Sequence, residues 1–210
     1  MIVGNIGADT LDGGGGADFM VGGAGDDLYF VDNIGDVVIE NAGEGTADVI
    51  YTSLAFYSVG DTDVEQISIT STAGSYIIGN ALANLIVGNS GADTLEGRAG
   101  ADVLVGNDGA DNFLYNNASE GGDVVTDFVP GEDHFRFSAT GFGSGLVNGG
   151  PAPFVSGSDP TSVGASFLYD TDDGRLFWDS DGVGGAAPIH IATLQERPQP
   201  SHKPISSSGP

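Results

Sequence analysis

Apolar and polar residues recur with a nine-residue period in residues 79–114. Each nine-residue block opens with glycine, has Asp or Asn at position six, and places a large apolar residue at position eight. Position four is also glycine, except at Leu82. A period of nine is too short for a helical repeat and too regular for a loop. Each block therefore predicts a tight glycine turn over positions one to six and a short strand over positions seven to nine, with the position-eight side chain pointing inward. The inward residues of these blocks are Ile86, Leu95, Leu104 and Phe113.

The same pattern recurs near the start of the chain, in three blocks over residues 4–30 and a decayed block over residues 31–39. Residues 2–11 match residues 86–95 almost one for one, so we expect that the chain begins inside a repeat array and is a fragment of a longer protein. A flexible Gly- and Asp-rich linker is the alternative, but a linker does not place a large apolar residue at every ninth position. The inward residues of this array are Leu11, Met20, Tyr29 and Val38.

The acidic and amide residues at position six are candidate metal ligands. Two blocks make one coil with a strand on each side, and coils stack at the ordinary strand spacing of about 4.8 Å. Turns two blocks apart then lie on the same edge. Calcium takes hard oxygen ligands, which carboxylates and turn carbonyls supply, so each same-edge pair is predicted to flank a calcium ion. Solvated acidic turns without an ion are the alternative. The predicted pairs are Asp9 with Asp27, Asp18 with Asp36, Asn84 with Asp102, and Asp93 with Asp111.

The pair that includes Asn84 is expected to be the weakest of these sites. Its amide carries no charge, and Leu82 replaces the second turn glycine of that block. Two further acidic stretches, residues 170–174 and 179–182, resemble pieces of an EF-hand loop, but both lack the Glu at position twelve. We interpret both stretches as hairpin turns.

The rest of the chain predicts further strands and no long helix. Over residues 40–78 the period fades into β-branched, partly alternating segments, which we interpret as longer coils that join the arrays in one solenoid. After residue 114 the composition changes, and a hairpin and a last strand are predicted near the C-terminus. The fold class is all-β, a parallel β-roll with a C-terminal β cap. The predicted regions are a first array (1–39), joining coils (40–78), a second array (79–114), a cap and secretion region (115–194) and a disordered tail (195–210).

Charge narrows the choice of partners. The 30 Asp and Glu residues face only 5 Lys and Arg, for a net charge of −25. Such a surface repels nucleic acid and anionic membranes, and it strains the compact state unless cations neutralise it. Disorder is the alternative, but 40% of the residues are apolar and fall at fixed positions, so we expect order that depends on metal. No stretch is long enough to span a bilayer, and the N-terminus lacks a signal-peptide pattern, so we expect no membrane insertion.

Residues 1–114 resemble RTX (haemolysin-type calcium-binding) repeats. The stretch 121–133 is similar to the capping region that follows such repeats in secreted proteases, lipases and epimerases, and residues 167–194 resemble the C-terminal part of those proteins. The resemblance implies a module that folds on calcium outside the cell and stabilises a larger extracellular protein. It also implies export by type I machinery, which reads an uncleaved C-terminal signal.

Two other functions stay open at this point. The chain is a fragment of a secreted protease, lipase or polysaccharide epimerase whose catalytic domain is missing, or it is a segment of an adhesin or surface layer. No metalloprotease motif, nucleophile elbow or phosphate loop occurs in the sequence, so the module itself is not expected to be an enzyme. A sugar-binding groove would need an aromatic platform, and Tyr51, Phe56 and Tyr57 do not form an evident one.

The last sixteen residues break with the rest of the composition. Four of the nine prolines and two of the five basic residues fall in residues 195–210. The RTX resemblance implies instead an ending with Asp-Phe followed by aliphatic residues, and the degenerate code permits such an ending in a shifted frame. We therefore hypothesise that the tail is a disordered frameshift product whose secretion signal is lost.

Overall fold

The computed structural model describes residues 1–143, 146, 152–157 and 164–196. Almost all of its regular structure is strand, with one short 3-10 helix (Ala118–Glu120) and one single-turn helix, α1 (Ala139–Phe142). The strands are β1 (Ile2–Ile6), β2 (Thr10–Asp12), β3 (Phe19–Ala24), β4 (Leu28–Val31), β5 (Val37–Ile39), β6 (Val49–Thr52), β7 (Phe56–Ser58), β8 (Gln66–Ile69), β9 (Tyr76–Ile78), β10 (Leu85–Val87), β11 (Thr94–Glu96), β12 (Val103–Val105), β13 (Asn112–Tyr115), β14 (Asp123–Phe128), β15 (His134–Phe137), β16 (Phe154–Ser156), β17 (Ser166–Asp170), β18 (Arg175–Asp179) and β19 (Ile189–Glu196).

Successive strands alternate between two parallel stacks. The even-numbered strands β2 to β14 pair in order in one sheet, and the odd-numbered strands pair in two shorter sheets, β1-β3-β5 and β7-β9-β11-β13-β15. Within the second array Ile86 lies opposite Leu104 in one stack, and Leu95 lies opposite Phe113 in the other. Each residue therefore stacks on its counterpart two blocks away, which confirms the predicted parallel β-roll.

The core of the roll is the row of position-eight side chains between the two stacks. Side chains alternate along a strand, so the position-eight residue points inward while its two neighbours point outward. All eight predicted inward residues are buried, and the most exposed of them, Val38, is only 8% exposed. They belong to one hydrophobic cluster that continues into the C-terminal region. Burial of this row of side chains therefore holds the coils together.

Residues 40–78 continue the same roll with coils of unequal length. Strands β6 and β8 extend the even-numbered sheet, and β7 and β9 lie in the odd-numbered stack. The sequence analysis did not identify strand β9 (Tyr76–Ile78). In the structure its middle residue, Ile77, is fully buried. The two arrays are thus joined through one core, as the sequence predicts for this region.

The roll also continues past residue 114, where the nine-residue period ends. Strand β14 pairs in parallel with β12, and β15 pairs in parallel with β13. The turn around Pro130 therefore carries the chain from one stack to the other and does not close a hairpin between these two strands. This extra coil ends at Phe137, inside the region that the sequence assigned to the cap.

The C-terminal cap extends the even-numbered sheet. Strands β17 and β18 form the predicted antiparallel hairpin with residues 171–174 at its turn, and β19 pairs with both β18 and β14. Aromatic rings fill the junction with the roll; the Phe137 and Phe167 ring centroids are 4.1 Å apart.

Strand β19 includes Gln195 and Glu196, which the sequence analysis placed in the tail. Residues 197–210, on which the disorder and frameshift hypothesis depends, lie outside the described residues. Within the described ranges, no helix is long and apolar enough to cross a membrane.

Candidate metal centres in the turns

The position-six residues form a ladder of hydrogen bonds along each edge of the roll. On the first edge, the Asp9 backbone N–H donates to Asp27 Oδ1 at 2.7 Å. Farther along the same edge, the Asn84 N–H donates to Asp102 Oδ1 at 2.7 Å, and the Asp102 N–H donates to Asp123 Oδ1 at 2.9 Å. Each carboxylate thus uses one oxygen to bind the turn of the coil before it.

The second edge repeats this arrangement. The Asp18 N–H donates to Asp36 Oδ1 at 3.0 Å, and the Asp93 N–H donates to Asp111 Oδ1 at 2.8 Å. In both pairs the residues are 18 positions apart, which is two blocks. The structure therefore brings all four predicted pairs together on shared edges.

The second carboxylate oxygen is left without a partner at many of these positions. The Oδ2 atoms are buried and receive no hydrogen bond from the described residues at Asp9, Asp27, Asp48, Asp102 and Asp111. A buried anionic oxygen without a partner is costly, because it loses its hydration and gains nothing in return. These oxygens fit a cation as their missing partner.

Glycine at position one makes room for the carboxylate and for a carbonyl of the next coil. A Cβ atom built on Gly88 would lie 2.7 Å from Asp93 Oδ2 and 2.5 Å from the carbonyl oxygen of Gly106. The carboxylate oxygen of one turn and the carbonyl oxygen of the following turn therefore face the same small space. Carboxylate and carbonyl oxygens together are the donor set that calcium prefers.

The carboxylates lie in buried positions, where the charged form is disfavoured relative to the neutral form. Burial raises the pKa of Asp102 and of Asp111 to about 6, and the pKa of Asp123 to about 7. Backbone hydrogen bonds from the preceding coil oppose these shifts but do not cancel them. Several such groups along each edge make the metal-free roll unfavourable at neutral pH, and a divalent cation would reverse that effect.

The raised pKa values predict opposite effects of acid on the metal-free and the metal-bound fold. A carboxyl whose folded pKa lies above its unfolded value of about 3.9 stabilises the metal-free fold fully below pH 4, and this stabilisation is lost as pH rises through about 6 to 7. Calcium needs the deprotonated form. Lowering the pH from about 8 to about 5 should therefore raise the calcium concentration at the folding midpoint while increasing residual calcium-free structure. Circular dichroism titrations at several pH values would measure both, and a midpoint independent of pH would contradict the prediction.

The turn at Asn84 differs from the others. Its side-chain Oδ1 accepts the Asn80 N–H at 2.9 Å, and its Nδ2 donates to the Val64 carbonyl at 2.9 Å. The Asn80 Nδ2 also donates to Val64 O at 2.9 Å. Neutral amide groups therefore connect this turn to the preceding coil, and that it is the weakest member of the ladders stays a prediction.

Three further aspartates belong to the ladders although the nine-residue period does not identify them. Asp48 Oδ1 accepts the Asp27 N–H at 2.7 Å, and Asp133 Oδ1 accepts the Asp111 N–H at 3.0 Å. The third is Asp123, described above. Their spacings of 21 and 22 residues hide them from a search at 18. The available signal was an apolar residue two positions after each aspartate, as in Asp48 and Ile50.

The aromatic residues considered for sugar binding do not lie on one surface. Tyr51 is in the even-numbered sheet, where its ring stacks on Phe30 with centroids 5.7 Å apart. Phe56 is on the opposite stack and meets Tyr76 edge to face. Tyr57 is buried in the core. These three residues therefore do not form a platform for polysaccharide.

The close approach at position one predicts a large effect of one added methyl group. Gly88→Ala would press a Cβ onto the Gly106 carbonyl and the Asp93 carboxylate, and overpacking of this kind costs about 1–3 kcal/mol. We expect the folding equilibrium constant at a fixed calcium concentration to fall about tenfold and the calcium midpoint for folding to rise. Gly15→Ala is the matched control, since no atom lies within 4 Å of its Cβ position and Gly15 is not among the positive-φ glycines. Equal midpoints for the two variants would contradict this account of the turn.

Comparison with known proteins agrees with the fold and the turn geometry. Four copies of the RTX calcium-binding nonapeptide repeat match residues 1–29 and 78–113. A comparison with curated proteins found no match. The stacked turns and the parallel sheets define a calcium-binding β-roll. The chain carries RTX calcium-binding repeats over these residues, and the resemblance seen in the sequence is confirmed there.

Proposed function

We propose that this β-roll is a structural module that folds on calcium after secretion and stabilises a larger extracellular protein. The observation that carries the proposal is the set of buried carboxylate oxygens that receive no hydrogen bond from the described residues, which lie along the first edge at Asp9, Asp27, Asp48, Asp102 and Asp123 and include Asp111 on the second edge. Without a cation these oxygens oppose folding, and with one they hold adjacent coils together. Calcium binding free energy then becomes folding free energy.

The proposed ligands are the position-six residues together with turn carbonyls such as that of Gly106. Calcium supplies positive charge and accepts irregular oxygen cages, which suits turns of unequal length. The protein residues supply the geometry: at positions such as Asp102 one carboxylate oxygen binds the turn of the preceding coil and the other is left for the ion. At Asp36, Asp93 and Asp133 the second oxygen also accepts a backbone N–H of its own turn. The proposed side chains are Asp9, Asp18, Asp27, Asp36, Asp48, Asp93, Asp102, Asp111, Asp123 and Asp133, with Asn84 as an uncharged member.

Export follows from the same electrostatics. A chain with a net charge of −25 and self-repelling turns stays unfolded where calcium is scarce, as passage through a one-step exporter requires. Outside the cell, calcium neutralises the turns and the coils stack. We therefore infer that type I machinery exports the parent protein and that this module works in the extracellular space.

The position of the folding midpoint tests this proposal. Extracellular calcium modules bind with dissociation constants of about 10⁻⁴–10⁻³ M, so we expect the midpoint in that range. Intrinsic tryptophan fluorescence from Trp178, which is buried in the cap, would follow folding during a calcium titration. Folding at submicromolar calcium would contradict the proposal, because the chain would then fold before export.

A further inference from the structure

Three buried carboxylates meet where the first array joins the longer coils. Asp27, Glu40 and Asp48 each offer one oxygen, and these oxygens all lie within 4.8 Å of one another. The three residues are 1%, 5% and 0% exposed, respectively. Asp27 Oδ2, Glu40 Oε1 and Asp48 Oδ2 receive no hydrogen bond from the described residues. The cluster is therefore an enclosed group of anions that lacks a counter-charge.

Glu40 brings the third carboxylate because it departs from the repeat. It follows β5 directly and so occupies position one, where the regular blocks have glycine. Its side chain reaches the turn of the preceding coil on the same edge, where its Oε2 and Asp27 Oδ2 crowd the Cβ position of Gly22. The Tyr29 hydroxyl donates to Glu40 Oε2, which orients the carboxylate and leaves Oε1 for another partner.

We propose that Asp27, Glu40 and Asp48 bind one hard divalent cation, with calcium as the chemically fitting ion, in a site with three carboxylates instead of the two of a repeat pair. The proposal rests on the proposed function, since Asp27 and Asp48 also belong to the edge ladder. It goes beyond that function in assigning a separate ligand set, most of which lies outside the residues that match the repeat.

The geometry and the donor chemistry both fit calcium. Calcium–oxygen distances are about 2.4 Å, so two ligands on opposite sides of the ion are about 4.8 Å apart. All donors in the cluster are oxygens, which favours calcium over the softer transition metals that nitrogen and sulfur ligands select. Three like charges in a buried space repel strongly, and a cation at their centre converts that repulsion into attraction.

The ion would hold together two parts of the roll: the first array, which follows the nine-residue repeat, and the joining coils, which do not. Asp27 belongs to the first array, and Asp48 belongs to the joining coils. Because ligand charge tunes calcium affinity, the three-carboxylate site should fill at lower calcium concentration than the pairs. The first array would then be attached to the rest of the roll before its own pairs are occupied.

Calcium affinity tests the site. Equilibrium dialysis with calcium alone should find that the tightest-binding ion of the unchanged protein binds more weakly in Glu40→Gln, because Asp27 and Asp48 are then left as a two-carboxylate pair. Glu44→Gln is the matched control, because it removes the same charge from the same long turn, where Glu44 is hydrogen-bonded to Asn41 at 2.7 Å. An equally tight first ion in all three proteins would overturn the proposal while leaving the proposed function intact. Absence of calcium binding by the unchanged protein would overturn both.

A second measurement applies if Glu40→Gln does not fold. Terbium replaces calcium and luminesces when a nearby tyrosine absorbs light, and the Tyr29 hydroxyl contacts Glu40. The first equivalent of terbium added to the protein should therefore give tyrosine-excited emission that Tyr29→Phe reduces at least severalfold. Unchanged emission from the first equivalent in Tyr29→Phe would overturn the assignment of the ion to this cluster.

Discussion

Removal of calcium is expected to abolish most of the β structure of this protein, and its return is expected to restore it. Without the ion, buried carboxylate oxygens such as Asp102 Oδ2 and Asp111 Oδ2 have no partner, and the net charge of −25 opposes compaction. Several ions bind to the folded chain and not to the unfolded chain. Each bound ion therefore shifts the folding equilibrium toward the folded state by mass action. The transition should therefore be steep in calcium concentration.

Far-UV circular dichroism with a chelator, with calcium and with magnesium measures this effect. Magnesium at the same concentration should restore much less signal, because it demands near-octahedral geometry and gives up its water reluctantly. Sodium chloride at matched ionic strength controls for simple screening of the surface charge. A calcium-free spectrum identical to the calcium-loaded spectrum would show that the core alone holds the fold, and the proposed mechanism would be wrong.

Asp102→Ala is expected to lower the folding equilibrium constant at a fixed calcium concentration about tenfold or more, and so to raise the calcium midpoint for folding. Asp102 is 1% exposed, and its Oδ1 accepts the Asn84 N–H while its Oδ2 faces the proposed ion. The substitution leaves a buried N–H unsatisfied, at a cost of about 1–3 kcal/mol, and removes a charged ligand as well. A cost of about 1.4 kcal/mol corresponds to a tenfold change in the folding equilibrium constant, and because several ions bind on folding, the calcium midpoint changes by a smaller factor.

Asp172→Ala is the control for this substitution. Asp172 is exposed at the β17–β18 turn, so its replacement removes the same charge without touching either ladder. The calcium midpoint for folding of Asp172→Ala should stay close to that of the unchanged protein. If both variants shifted the midpoint equally, net charge rather than a specific site would control folding, and the ligand assignment at Asp102 would have to be abandoned.

The regular part of the roll could be predicted from the sequence because its contacts are periodic. When every block has nine residues, each residue stacks on the one 18 positions away, so Asp93 must meet Asp111 and Leu95 must meet Phe113. The glycine turn and the inward apolar residue are local features of each block. The fold class, the buried row of position-eight side chains and the proximity of the four position-six pairs therefore followed from one period.

Only the tertiary structure decided how the coils stack where that period breaks. The turns that carry Asp48 and Asp133 have extra residues, and sequence spacing cannot show which coil a longer turn will stack against. The proline-containing turn before β15 has the composition of a hairpin turn. Because β15 stacks on β13, however, this turn belongs to another coil of the roll. Glu40 joins Asp27 and Asp48 for the same reason: its side chain reaches across stacked turns, and that contact exists only after the coils have formed.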